Sequence, residues 1–251
     1  MLSKIDSWQD RPWLWLLMSF VTIGLTCVAH YFFQDYLYMQ ACEQCVYIRY
    51  AMLVMGFGGL VAFAFPRAPW AKIIGYSLGA YGCIIGIDFC LTLDKIHTAI
   101  HDEDAFGGVA GCREIPIFPF DLHLYKWAPE WFLPTGDCGL DQPVVPADKV
   151  ASLSAFQQFF TGTEAEGWED GFYSQGWYLI PSMHFMNMAI ACLLCFVSCA
   201  VALAVMAIGY FLREGNTSKI VVASSIAIAV VLVILGNMGK AAAIAAATGA
   251  S

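Results

Sequence analysis

Cys42 and Cys45 stand three residues apart in Ala41-Cys42-Glu43-Gln44-Cys45, directly ahead of an apolar run that opens at Val46. Two thiols at this spacing are close enough to bridge, and in the first turn of a helix the positive end of the dipole stabilises a thiolate. Arg49 follows Cys45 by four residues, so on a helix both project from one face and the guanidinium further favours a Cys45 thiolate. An arginine this close to hydrocarbon needs an anionic or polar partner, which makes it a functional candidate; snorkelling to the interface is the structural alternative. The cysteine pair has structural alternatives too, a plain staple or half of a zinc site. No second Cys-x-x-Cys outside the apolar runs is present to complete a zinc site, and no metal is expected.

Cys112 and Cys138 are a second candidate pair. A disulfide between them would close a loop of 26 residues, worth roughly 3 to 4 kcal/mol in the chain-entropy model, so a staple would be reason enough for it. Two pairs on one surface allow more. Disulfide exchange passes from sulfur to sulfur through mixed disulfides, so a mobile pair that meets a soluble partner and a fixed pair at the membrane would form a two-step relay. The other six cysteines, Cys27, Cys83, Cys90, Cys192, Cys195 and Cys199, sit among Leu, Ile, Ala and Val, where cysteine acts as a small hydrophobe. Cys192, Cys195 and Cys199 have helical spacing, but they lack a nearby histidine or acid to make a metal site, and small residues at that spacing also serve helix packing.

The elements that must position these residues belong in a bilayer. Of 251 residues, 59% are hydrophobic and 13% charged, and the mean hydropathy is +0.65. A net charge of −8 with no basic stripe excludes nucleic acid as a partner. Five apolar runs, about Trp13–Phe33, Val46–Phe65, Ile73–Leu93, Met183–Leu212 and Ile220–Gly239, are each long enough to cross a hydrocarbon core about 30 Å thick. The first is too long for a signal-peptide core and is expected to be retained. Lys4, Arg11, Arg67, Lys72, Arg213 and Lys219 all fall in segments that share one face, which the positive-inside rule makes cytoplasmic. All four paired cysteines then fall on the opposite, oxidising side.

That side also receives the segment 94–182, which carries 14 acidic and 4 basic side chains; the acidity reads as a solvated loop or as a docking surface for a basic partner. Within it, Ile115–Pro134 is dense in aromatics and proline and suits a segment at the membrane interface. Gly139–Gln175 reads as a polar excursion with one short helix around Val150–Phe160 and no chemistry of its own. No internal repeat is visible.

Electrons gathered by such a relay must leave the protein. No haem-attachment motif exists, since Cys45 is followed by valine, and no dinucleotide or flavin fingerprint appears. A lipid-soluble quinone is the acceptor that needs no such motif.

The residues resemble those of the disulfide bond formation protein B family, including its DsbI branch, of bacterial inner membranes. The resemblance rests on Cys42-Glu43-Gln44-Cys45-Val46-Tyr47-Ile48-Arg49, on Lys126-Trp127-Ala128-Pro129 leading to Gly136-Asp137-Cys138, and on Cys112 placed 26 residues before Cys138. It runs from Ser7 to Cys138 and resumes over Gly176–Leu212. It implies an all-α four-helix transmembrane bundle over 1–212, including the extracytoplasmic, periplasmic loop 94–182. The C-terminal extension 213–251, with its fifth transmembrane helix, is additional.

By the same resemblance, the protein reoxidises a periplasmic DsbA-like thioredoxin-fold partner and passes electrons to ubiquinone or menaquinone. Cys112 looks like the cysteine attacked by the partner, Cys138 like the one that relays to Cys42, and Cys45 like the thiolate facing the quinone, with Arg49 beside it. His97 best matches the family's quinone-side histidine, and His101 is the runner-up. The chain departs from the family in having Ala41 where proline usually precedes the first cysteine. Glu43 adds an anion that opposes thiolate formation, and the excursion and fifth span are extra.

Other readings remain distinct. A vitamin K epoxide reductase relative would place its Cys-x-x-Cys inside a late helix. A stapled structural or transport protein would keep its cysteines oxidised whatever the quinone pool does. A b-type cytochrome would use His30 and His184 as axial ligands.

Overall fold

The computed structural model describes residues 7–101, 112–138 and 140–248. Among the described residues, five helices are long and apolar enough to span a membrane. The first, α1 (Pro12–Cys27), opens on a proline, whose missing N–H costs nothing in a first turn, and continues as a wider π-type helix over Val28–Tyr36. The others are α2 (Glu43–Ala64), α3 (Pro69–His101), α4 (Met188–Phe211) and α5 (Asn216–Thr248). The five spans expected from the apolar runs are all present, in an all-α membrane protein.

Two boundaries move. α3 runs on past Leu93 to His101, although the apolar run ends earlier, because a helix can project its polar last turns beyond the hydrocarbon. α4 starts at Met188 rather than Met183. The residues before it form a small antiparallel hairpin, β1 (Tyr178–Ile180) with β2 (Phe185–Asn187), and Asn187 then caps α4 by accepting from the Ile190 N–H at 2.9 Å.

α3 is the central element, packed against α2 on one side and against α4 and α5 on the other, while α1 covers α2. Small residues allow the close approach, as expected where lipid supplies no hydrophobic drive between helices: Ser19 Oγ donates to the Gly56 carbonyl at 2.9 Å across α1 and α2. The core is aromatic and sulfur-rich, with Trp15, Tyr47, Met55, Tyr81, Phe118 and Phe196 fully buried. Large apolar side chains such as Trp13, Phe20, Ile220 and Ile226 are exposed on the outside, as suits a lipid-facing surface. At one end of the bundle Asp10 ties the chain together, pairing with Lys72 at the start of α3 and, at 2.6 Å, with Arg213 after α4.

The excursion after Cys138 is not the merely polar loop expected from its turn residues. A short helix, Ala155–Thr161, with a Ser154 capping box, falls where one was anticipated. Phe156 and Phe160 pack against Phe32, and Tyr173 and Trp177 against Phe33, in the first span. Gln157 Nε2 donates to the Tyr36 carbonyl at 2.9 Å. The excursion is therefore docked on the end of α1. Of the aromatic segment 115–134, Trp127 is exposed, but Phe118 is buried against Tyr47, Tyr50 and Phe132.

Candidate functional site

Cys42 is the N-cap of α2, and its Sγ accepts from the Cys45 N–H at 3.2 Å. The two cysteines are disulfide-bonded with Cα atoms 5.0 Å apart. Cys112 and Cys138 form a second disulfide, with Cα atoms 5.6 Å apart. Both pairs read from the spacing are thus bridged.

Backbone hydrogen bonds hold the two disulfides together. The Ala41 carbonyl, one residue before Cys42, accepts from the Thr135 N–H at 2.8 Å and the Gly136 N–H at 3.2 Å. The Ala41 N–H donates in turn to Thr135 Oγ1 at 2.9 Å. Gly136 lies so close to Gln40 that any Cβ there would run into the Gln40 side chain. On the other flank, Glu43 Oε2 accepts from the N–H of Arg113, the residue after Cys112, at 3.1 Å. Residues 41 and 43 thus bind the chain on either side of the second disulfide. Glu43 was expected to oppose a thiolate as a free anion; its carboxylate is instead engaged by Arg113 and by the Tyr47 hydroxyl at 2.8 Å.

A cavity of about 210 Å³ opens beside Cys42 and Cys45. Its walls are apolar, including Leu25, Val28, Ile48, Met52, Leu93 and Met188, and its polar groups are Arg49, His97, Asp141, Gln40 and Thr26. Cys138 lines it too, whereas Cys112 does not. Cys45 and Arg49 share the cavity as the helical spacing predicts. Arg49 does not snorkel: it is buried, and Nη1 and Nη2 donate to the Trp131 and Ala29 carbonyls, each at 3.4 Å. An apolar slot with a few polar groups is compatible in its chemistry with a quinone head group.

His97 meets Asp141 at 3.1 Å through Nε2, and the Asn187 amide lies 3.3 Å from its Nδ1. The same amide donates to Asp94 at 3.0 Å. Reasoning from the sequence missed Asp141, having assigned the excursion no chemistry, and Asn187, which fell within the fourth apolar run. The available signal was position, since Asp141 follows Cys138 by three residues. The His101 side chain lies outside the described residues.

His30 is buried, stacks on Trp131 at 4.2 Å and stands 3.7 Å from Asp35, while the exposed His184 packs edge-on to Tyr178. The two rings thus occupy different environments. Cys27, Cys83, Cys90, Cys192, Cys195 and Cys199 are free, and Cys192 also lines the cavity. Among the described residues no group of three or more His, Cys, Asp or Glu could hold a metal ion.

Comparison with known proteins points the same way. The family model described as "Disulfide bond formation protein DsbB" matches residues 11–206. The chain is 53% identical over 235 residues to DsbI of Campylobacter jejuni (strain RM1221), covering 93% of this chain and 88% of that protein. It is 50% identical over 208 residues to "Protein-disulfide oxidoreductase DsbI" of Salmonella typhimurium (strain LT2), covering 82% and 88%. To the protein of the same name from Escherichia coli O1:K1 / APEC it is 50% identical over 216 residues, covering 84% and 93%. No solved structure matches the chain. With two adjoining disulfides at the end of a helical membrane bundle and a family match over most of its length, the chain belongs to the DsbB family of disulfide bond formation proteins.

Proposed function

We propose that this oxidoreductase takes two electrons from a periplasmic DsbA-like thioredoxin-fold dithiol and delivers them to ubiquinone or menaquinone. The observation that carries the proposal is the single cavity lined by Cys42, Cys45, Cys138, Arg49 and His97.

The partner's thiolate attacks Cys112, breaking the Cys112–Cys138 bond and releasing Cys138 as a thiolate. Cys138 attacks Cys42, forming a Cys138–Cys42 bond and releasing Cys45 as a thiolate into the cavity. The partner's second thiolate displaces Cys112, leaving the partner oxidised. Cys112 then attacks Cys138, restoring their disulfide and releasing Cys42, so the two electrons rest on Cys42 and Cys45. A bound quinone supplies a two-electron, two-proton acceptor. Arg49 stabilises the Cys45 thiolate and developing negative charge in the cavity, and His97 with Asp141 holds a proton at the cavity wall.

Further support comes from the segregation of the ends. Asp10, Lys72 and Arg213 gather at the end of the bundle that carries the basic loops. This favours a multi-pass protein of the bacterial inner membrane with a cytoplasmic N-terminus and a periplasmic loop 94–182. Residues 1–212 form the relay domain and 213–251 the extension.

The test is reduction of a soluble ubiquinone analogue by the purified chain, supplied with a reduced thioredoxin-fold dithiol protein. Turnover in the unaltered chain that vanishes in Cys45→Ser supports the proposal, and full activity in Cys45→Ser refutes the assigned terminal thiolate.

A further inference from the structure

Lys240 lies near the end of α5 among Gly, Ala and Ile, where a cation in or near hydrocarbon is costly unless partnered. A lysine so placed ordinarily turns its ammonium out to water. This one turns inward. Nζ stands 4.3 Å over the Tyr47 ring and 5.2 Å from the Phe89 ring centre. Glu43 and Asp88 are the acids that act on it, and Arg113 is the competing cation.

Tyr47 is fully buried in the first turns of α2, and its hydroxyl both gives and receives: it donates to Glu43 Oε1 and accepts from the Ile117 N–H, each at 2.8 Å. Since Glu43 also holds the Arg113 N–H, two peptide groups of the arm that follows Cys112 are fastened to the turn that carries Cys42 and Cys45. Phe118, fully buried, packs edge-on against Tyr47 just beyond.

α5 closes on the arm from the other side. Phe120 adopts a left-handed backbone with φ 60°, and a Cβ on Gly239 would stand 2.8 Å from its Cα, so only glycine lets the two backbones meet.

We propose that Lys240, Tyr47 and Glu43 form a latch, closed by α5, that holds the Cys112 arm against the Cys42–Cys45 turn so that the two disulfides stay within exchange reach. The inference rests on the relay proposed above, and makes the C-terminal helix part of the redox apparatus. All three are positioning residues: Tyr47 and Glu43 bind the arm, and Lys240 lies over the Tyr47 ring and offsets the buried Glu43 carboxylate.

The test uses the full chain in lipid nanodiscs and two measurements on Lys240→Met, Lys240→Arg and Gly239→Val. One is hydrogen exchange across 112–121. The other is quinone-analogue reduction, driven either by a reduced thioredoxin-fold protein or, in a Cys112→Ser/Cys138→Ser background, by dithiothreitol acting on Cys42 and Cys45 alone.

Lys240→Met and Gly239→Val are expected to speed exchange over the arm and to lower partner-driven turnover about fivefold, as for one lost positioning interaction, with dithiothreitol-driven turnover within about twofold of its parent. Lys240→Arg, which keeps a cation over the ring, should restore both. Unchanged exchange in Lys240→Met, or an equal loss under both reductants, overturns the latch. An unaltered chain with a protected arm but no partner-driven turnover contradicts the relay itself, and the latch's purpose with it.

Discussion

The backbone N–H of Ala41 donates to the hydroxyl of Thr135 at 2.9 Å, and the Thr135 N–H returns a bond to the Ala41 carbonyl at 2.8 Å. This reciprocal pair ties the residue before Cys42 to the turn that leads into Cys138. A proline at position 41, as the related family usually has, carries no N–H and would leave Thr135 Oγ1 without its donor. Ala41 thus supplies the donor that Thr135 Oγ1 receives.

It follows that Thr135→Val should weaken the coupling of the two disulfides. Losing one hydrogen bond of ordinary strength, about 1 kcal/mol, should slow Cys138-to-Cys42 exchange roughly fivefold. Rapid-quench thiol trapping after mixing with a reduced partner measures that step. Ala41→Pro should act in the same direction and add little when combined with Thr135→Val, because both remove the same bond.

Arg49 is buried with its guanidinium on two carbonyls at the cavity wall. Arg49→Gln should leave exchange between the disulfides intact while lowering quinone reduction on the order of 100-fold, the scale for removing one aligned donor or cation from a site of developing charge. Comparing trapped disulfide states with quinone turnover separates the two steps; a loss at the exchange step instead would place Arg49 in the fold rather than the cavity.

Asp141 faces His97 at 3.1 Å from a segment with no apparent chemistry in the sequence. In Asp141→Asn, the quinone-analogue KM is expected to rise about tenfold, on the scale of one charge-assisted contact worth about 1.5 kcal/mol, with little change in partner KM. Steady-state kinetics with each substrate varied in turn checks the split.

At the other end of the bundle, burial pushes the Asp10 carboxyl up, but hydrogen bonds and charge from Lys72 and Arg213 outweigh it and hold the group below its ordinary value. A depressed carboxyl contributes stability that is present above its unfolded value, about 3.9, and is lost as pH falls through the lower folded value. Thermal unfolding between neutral and acid pH should therefore show a modest drop in Tm below about pH 4 that Asp10→Asn lacks.

The spans were legible because the runs of Leu, Ile, Val and Ala are long and uncharged, and the site was legible because Cys42, Cys45 and Arg49 share one helix, whose period fixes their face. What escaped depends on contacts between distant segments. Nothing near Glu43 in sequence announces the Arg113 N–H 70 residues away or Lys240 on the last helix. The excursion's Phe160 and Tyr173 stood in a segment read as polar until Phe32 and Phe33 supplied the surfaces they cover. The second strand of the hairpin before α4 was hidden because Phe185 and Met186 fall within the apolar run that opens at Met183, although the backbone there is extended.

The central claim is that the two disulfides are consecutive stations of one relay, with Cys138 next to Cys42. Its most direct test is the doubly substituted chain Cys45→Ser/Cys112→Ser, which leaves Cys138 and Cys42 each without its own partner. Peptide mapping by mass spectrometry after mild air oxidation should find a Cys42–Cys138 disulfide in nearly every molecule. Two free thiols at these positions, in protein that is folded, would contradict the relay.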